Sequence, residues 1–368
     1  MAAPLYLDAN ATEPLRPEAR QAVLQALDLP GNPSSVHGAG RAARRLLERA
    51  RDQVASRFGT APADVVFTAG GTEANALAIH ALAPGRRILL GATEHPAVLA
   101  AAPDATHLPV RPDGTLDPAV LDAALRQGLP ALVCLMAANN ETGVLHPLEE
   151  LAAICRRHGA ALHVDAVQAA GRVPLDAAAL GADTLALSGH KLGGPKGAGA
   201  LLLRPGLAVA PLIAGGGQER GRRGGTEPLP AIAGLGAAAA AAHPAAAARL
   251  APLRDAIEAF CLAQGALVAG GGAPRLPNTS SLILPGAAAE TQVIALDLAG
   301  VQVSAGAACS SGKVGASHVL AAMGLQGAIR VSLPWDAPAD SAERFTAAWS
   351  AMRSRLSRPA LAGARLAP

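Results

Sequence analysis

Aromatic side chains are almost missing from this 368-residue chain: two Trp, one Tyr and four Phe make up 2% of it. A core must therefore be assembled from Leu, Val, Ile and abundant Ala, through many close helix contacts. Basic residues also lack the interleaved aromatics of a nucleic-acid surface, and a net charge of +3 is too small to draw one. Charged residues reach only 16% against 51% hydrophobic ones, which excludes a disordered chain. Only four cysteines occur, Cys134, Cys155, Cys261 and Cys309, with no CxxC pair. That spacing argues against a zinc site and a secreted disulfide framework, and for a reducing cytoplasm. No run of about eighteen residues is apolar enough for a membrane span. Residues 233–250 come nearest, but His243, Pro244 and Arg249 interrupt them. The opening MAAPLYLDANATEPLRP has no basic region before an apolar block, so no signal peptide is expected.

What the chain does have is a β/α rhythm from about residue 60 to 205. DVVFTAG, RRILLGATE, PALVCLMAANNETG, ALHVDAVQAAG, DTLALSGHK and GAGALLL read as strands, and TEANALAIHALA, HPAVLAA and LEELAAICRRHG as helices between them. Continuous apolar strands alternating with helices predict an α/β fold, a mostly parallel sheet covered on both faces. The alanine-rich stretch 231–262 predicts one or two long helices, with Pro244 and Pro252 as breaks. After it, TSSLILPG, VQVSAG and AIRVSL read as strands around the helix TQVIALDLAG, a small α+β domain. The length fits two domains or three.

Polar groups gather at the predicted strand ends, where open α/β sheets hold their ligands. AGGTEAN (69–75) turns on two glycines into a helix whose free N–H groups suit a phosphate; the bland alternative is an ordinary start with Thr72 as N-cap. Asp165 ends an apolar strand with Gln168 three residues on; a cap is equally compatible. LALSGHKLGGPKGAGALLL brings Ser188, His190 and Lys191 together, where a solvated surface turn is the simpler explanation for any one of them. GGPKGAG lacks the GK[ST] of a P-loop. Taken together, the three segments fit pyridoxal phosphate. This cofactor needs an amine (Lys191), a carboxylate to keep its ring nitrogen protonated (Asp165), and a phosphate cup (Gly71, Thr72, Ser188, His190).

These residues carry a resemblance. YLDANAT (6–12), GNPSSVHGAGR (31–41), FTAGGTEANALAI (67–79), TEHPAVL (93–99), ANNETGV (138–144), HVDAVQAAG (163–171), SGHKLGGPKGAGAL (188–201), GGGQERGRRGGT (215–226), LPNTSS (276–281), SAGAACSSG (304–312), SHVLAAMG (317–324) and IRVSL (329–333) run in order through nearly the whole chain. The chain resembles the cysteine desulfurases, class-V pyridoxal-phosphate enzymes of the aminotransferase fold, also called fold type I. The resemblance implies a seven-stranded-type sheet in a large cofactor domain (15–250), and a small α+β domain from 1–14 and 251–368. It implies that Lys191 joins the cofactor covalently, that Asp165 pairs with its ring nitrogen, and that His95 stacks on the ring and shuttles protons. Asn140 and Gln168 would contact the ring oxygen or substrate, and Thr226 would reach the phosphate from a second subunit of a homodimer.

Cys309 decides which reaction is expected. It lies in the small-residue segment SAGAACSSGKVGAS, a polar, glycine-flanked loop in which exposure and thiolate character are plausible. Cys134, Cys155 and Cys261, within an apolar strand and helices, read as packing. Matched to the family nucleophile, Cys309 attacks the sulfur of L-cysteine, leaving alanine and a persulfide for an acceptor, an iron–sulfur scaffold or a tRNA-thiolation protein. A scaffold acceptor could bring a cluster ligand near Cys309. Arg330 fits a clamp for the substrate carboxylate, against the alternative of an edge-strand surface charge. No metal is expected: His158 and His163 straddle a helix end and a strand. The chain departs from the family pattern at Glu13 (commonly a second threonine), Ala307 (usually serine), and Pro334 and Trp335 (usually glycine and a basic residue). Two rivals keep the fold. A selenocysteine lyase or another class-V aminotransferase-like enzyme needs Lys191 and Asp165 but not Cys309, and a non-catalytic interaction protein needs none of them.

Overall fold

The computed structural model describes residues 3–128, 130–306 and 316–356. The chain opens with the short strand β1 (Leu5–Tyr6). Seven strands then form the main sheet: β2 (Val65–Thr68), β3 (Arg87–Gly91), β4 (Thr106–Leu108), β5 (Ala131–Met136), β6 (Ala161–Asp165), β7 (Thr184–Ser188) and β8 (Gly199–Leu203). Their order is β2-β8-β7-β6-β5-β3-β4. The five strands from β7 to β4 run parallel, and β8 is antiparallel to both β7 and β2. The structure thus gives the predicted mostly parallel sheet.

Every residue of β5, β6, β7 and β8 is buried. Successive side chains point to opposite faces of a strand. Accordingly Val133 and Leu135 of β5 join one apolar layer, while Leu132 and Cys134 join the layer on the other side. The first layer is closed by the helix Gly38–Phe58, which buries Ala43, Leu47, Ala50, Val54 and Phe58 along one stripe and stops at Gly59, φ 66°.

The alanine-rich stretch differs from the expectation of one or two long helices. It forms Leu229–Ala241, a single turn Pro244–Ala248, and Ala251–Ala263. Pro244 and Pro252 each sit in the first turn of a new segment, where a missing N–H costs least. Among the described residues no single helix is long and apolar enough to cross a membrane; Leu229–Ala241 and Pro244–Ala263 reach that only as a pair bent by 68°.

The second unit adds β9 (Leu267–Val268), β10 (Thr279–Ile283), β11 (Val301–Gln302), β12 (Ser304–Ala305) and β13 (Ala328–Ser332). An antiparallel sheet β12-β13-β10-β9 packs with the helices Ala251–Ala263 and Ala289–Leu298, and Ser341–Leu356 packs on those two helices. Its separate core contains Leu5, Leu7, Ile257, Phe345 and Trp349. The amino terminus reaches this core because β1 pairs in parallel with β11. From there residues 8–16 pass beside the carboxyl ends of the main strands, and Glu13 and Arg16 donate backbone N–H bonds to the His190 and Gly193 carbonyls.

Candidate active site

The carboxyl ends of β2, β5, β6 and β7 surround a cavity of about 320 Å³. Gly71, Thr72, His95, Asn140, Asp165, Gln168, Ser188, His190 and Lys191 all line it. Residues that the sequence spreads over 120 positions therefore share one small space.

At one end lies the start of the helix Gly71–Leu82. Gly70, not Thr72, is its N-cap, and no side chain caps it, so its first N–H groups are left for a ligand. A Cβ on Gly71 would lie 2.7 Å from Val167 Cγ2, so only glycine lets the backbone form this cradle. Ser188 ends β7, and His190 follows within the 3₁₀ turn Gly189–Lys191. Burial, with help from Lys191 and two more basic neighbours, pushes the His190 imidazole down to about 4. It is neutral at pH 7 and can donate a hydrogen bond without adding charge.

Asp165 sits at the end of β6 and is held from two directions. Its Oδ1 accepts from Val167 N at 3.0 Å, and its Oδ2 from Asn75 Nδ2 at 2.7 Å. Behind Asn75, its Oδ1 meets His163 Nε2 at 2.9 Å, and His163 Nδ1 meets Thr184 Oγ1 at 2.8 Å. His95 caps the helix Pro96–Ala101, with Nδ1 accepting from Ala97 N at 3.1 Å. That bond leaves the proton of a neutral ring on Nε2. Burial lowers its pKa, and the charge of Asp165 opposes the shift.

Lys191 Nζ donates to the Asn10 carbonyl and, at 2.8 Å, to that of Ala11. Asn139 Oδ1 accepts from the N–H groups of Glu141 and Thr142 at 2.9 Å each, curling the loop that presents Asn140. Beneath the cavity Glu94 is fully buried; burial first, then Asp165, pushes its carboxyl well above the usual range.

Among the described residues, two expected ones, Arg330 and Thr226, are not in the cavity wall. Arg330 lies on β13, between β12 and β10, and is 0% exposed, which removes the edge-strand alternative. It pairs with Asp8 at 2.7 Å and donates to the Asn140 carbonyl at 3.2 Å, next to the cavity. Thr226 is exposed and does not line the cavity of its own chain. Cys309 and Ala307 lie outside the described residues. His158 contacts Asp122 and His163 contacts Asn75 and Thr184, so the two histidines share no ligand.

Asn10 and Asn75 were missed as individual site residues. Asn75 had a signal: it interrupts the buried stripe Ala74, Leu77, Ala78 of its helix. A polar side chain there needs a buried partner. Asn10 had only its place within YLDANAT.

The chain belongs to the class-V aminotransferases: the sequence model of that family matches residues 5–345. The family is pyridoxal-phosphate-dependent. A cysteine desulfurase of Cereibacter sphaeroides is 47% identical over 89% of this chain and 90% of its own length. Another, from Rhodobacter capsulatus, is 43% identical over 93% and 94%. The structure of a NifS-like protein from Rickettsia africae ESF-5 superposes with a TM-score of 0.87 at 33% identity, covering 95% of this chain and 99% of that one. Within the class-V family, the chain belongs to the cysteine desulfurases.

Proposed function

We propose that this chain binds pyridoxal phosphate in the 320 Å³ cavity and moves sulfur from L-cysteine to Cys309, releasing alanine. The observation that carries the reading is the convergence of Lys191, Asp165, His95 and the four cup residues on one cavity. The helix N-terminus at Gly71 with Thr72, Ser188 and neutral His190 holds the phosphate group. Asp165, kept in position by Asn75 and Val167, pairs with the ring nitrogen. His95 would cover the ring, Lys191 would be the amine that anchors it, and Asn140 and Gln168 would serve its oxygen or the substrate; all four line the cavity. When bound, the cofactor supplies an electron-withdrawing ring that holds the electron pair left when a bond at the substrate Cα breaks.

The chain's own groups do the rest. Arg330 binds the substrate carboxylate, Lys191 Nζ takes the Cα proton, and His95 Nε2 carries protons to and from the leaving sulfur. The Cys309 thiolate forms the new S–S bond as the Cβ–S bond breaks, so cysteine plus a thiol become alanine plus a persulfide, with atoms and electrons balanced. The persulfide then passes to an acceptor protein, an iron–sulfur scaffold or a tRNA-thiolation protein. Exposure of Thr226 supports a homodimer in which it serves the partner's phosphate site. The separate apolar cores support domains of 15–250 and of 1–14 with 251–368. The free, buried thiols of Cys134, Cys155 and Cys261 suit a reducing compartment such as the cytoplasm.

The test is to incubate the purified protein with pyridoxal phosphate, L-cysteine and a thiol reductant, then measure alanine and sulfide. Equal amounts of both are expected, with loss of both in Lys191→Ala and Cys309→Ser. Turnover unaffected by Cys309→Ser sinks the desulfurase reading and leaves a lyase; no visible absorption band with pyridoxal phosphate sinks the enzyme reading altogether.

A further inference from the structure

Two departures from the family pattern, Glu13 and Trp335, meet in space. Glu13 Oε2 accepts from Trp335 N at 3.1 Å, the indole Nε1 donates to the Pro14 carbonyl at 2.8 Å, and the Arg16 guanidinium lies 4.7 Å over the ring. The other oxygen of Glu13 accepts from Arg172 Nη2 at 3.0 Å, in a pair whose side chains are each 6% exposed. Arg172 Nη1 donates to the Gln168 backbone carbonyl at 3.2 Å and also to Gln168 Oε1. Gln168 Nε2 in turn donates to the Asn10 carbonyl at 3.0 Å, the same oxygen that receives Lys191 Nζ.

This chain leaves the Gln168 amide one orientation. Arginine can only donate, so the amide atom facing it is oxygen; a backbone carbonyl can only accept, so the atom facing Asn10 is nitrogen. Both ends demand the same rotamer. Asn10 takes one amide hydrogen, and the second remains for a group in the cofactor cavity, whose wall includes Gln168. Arg172 in turn depends on Glu13, because a buried cation needs a carboxylate beside it. On the far side of Lys191, Glu13, Arg16, Arg172 and Trp335 line a second cavity of about 310 Å³. An Arg172 released from Glu13 has room to swing into it and let go of Gln168.

We propose that Glu13 is a positioning residue: through Arg172 it holds the Gln168 amide with an N–H turned to the oxygen substituent of the pyridoxal ring. The proposal rests on the reading of the 320 Å³ cavity as a pyridoxal phosphate site. A donor at that oxygen would stabilise its anionic form, so the visible band of the loaded protein would titrate at lower pH.

The experiment titrates pyridoxal phosphate into the apoproteins of wild type, Glu13→Gln, Arg172→Met, Gln168→Leu and the Arg172→Met/Gln168→Leu double variant. Affinity, the pH midpoint of the visible band and each apoprotein's melting temperature are recorded. Arg172→Met and Gln168→Leu should each raise the midpoint by about one unit and weaken binding about tenfold. Glu13→Gln should move both the same way by less, since its amide oxygen still accepts from Arg172. The double variant should go no further than either single one, because both cut the same chain of bonds. Should Arg172→Met not fold, Arg172→Lys, which keeps the charge and loses the planar fork, must give the midpoint shift. Lowered melting with an unmoved midpoint, or additive shifts in the double variant, overturns the positioning role alone. A wild-type protein that gives no visible band overturns the cofactor reading and this proposal with it.

Discussion

At the residue scale the site depends on side chains whose charge is controlled by burial. The line Asp165–Asn75–His163–Thr184 has one self-consistent proton arrangement. Asn75 donates to the carboxylate, so its oxygen faces His163; Nε2 must therefore carry the hydrogen, and Nδ1 accepts from the Thr184 hydroxyl. Burial pushes His163 down to about 3, against 6.5 in the unfolded chain. Between those values the unfolded chain binds a proton that the folded chain refuses, so this contribution to stability rises with pH and is complete above 6.5. Urea unfolding of wild type and His163→Gln should accordingly diverge from pH 4.5 to 6.5, by about 1.4 kcal/mol per unit, and then run parallel. A constant difference at all pH values would contradict the neutral buried imidazole. Asn75→Leu removes one of the two donors that hold Asp165; the apoprotein should bind pyridoxal phosphate about tenfold more weakly in a spectroscopic titration. Lys191, Asp165 and His95, which line the cavity, were legible in the sequence because each sits in a motif of the family resemblance. Asn10, Asn75 and Arg172 were not, since their roles come from partners 90 to more than 150 positions away, such as Asp165 for Asn75 and Glu13 for Arg172.

At the element scale, scarce aromatics are offset by close approach of helices. In Leu229–Ala241 a Cβ on Gly234 would lie 2.7 Å from Val23 Cγ2 and Pro195 Cδ, and one on Gly236 would lie 2.6 Å from Ala50 Cα. Helix backbones packed this tightly leave no room for larger residues. Gly236→Leu should therefore lower stability by about 1–3 kcal/mol in urea unfolding, while Ala240→Ser on the exposed side changes it by less than about 0.5 kcal/mol. Equal effects would mean that the helix face does not make the contact described. The strands were readable because both faces of the central sheet are apolar. The division of the alanine-rich stretch was not, because alanine favours helix everywhere and the bends depend on Ala242 entering one core and Leu250 the other.

At the scale of the whole molecule, apolar side chains remain uncovered on one chain: Val36 is 89% exposed, Leu27 63% and Ile213 52%. Leu27 at the end of the helix Pro17–Leu27, Val36 just before the helix Gly38–Phe58 and Ile213 in the loop leading to Thr226 fit the proposed homodimer. Sedimentation should give twice the 36.6 kDa chain mass, and Leu27→Asp with Val36→Asp should shift the species toward a monomer. A monomeric wild type would remove Thr226 from the proposed phosphate site.

By itself the sequence determined the strand and helix alternation, and it marked the glycine turn at 70–71, and Asp165 and Lys191 at strand ends, as the candidate cofactor groups. These are local matters, set by periodicity, turn glycines and the chemistry of single side chains. Only the tertiary structure decided which groups touch: that Asn75 grips Asp165, that Arg330 is buried on a central strand beside Asp8, and that Glu13 reaches Gln168 through Arg172. Hydrogen bonds and burial between distant segments exist only after the chain has folded, and no local pattern encodes them.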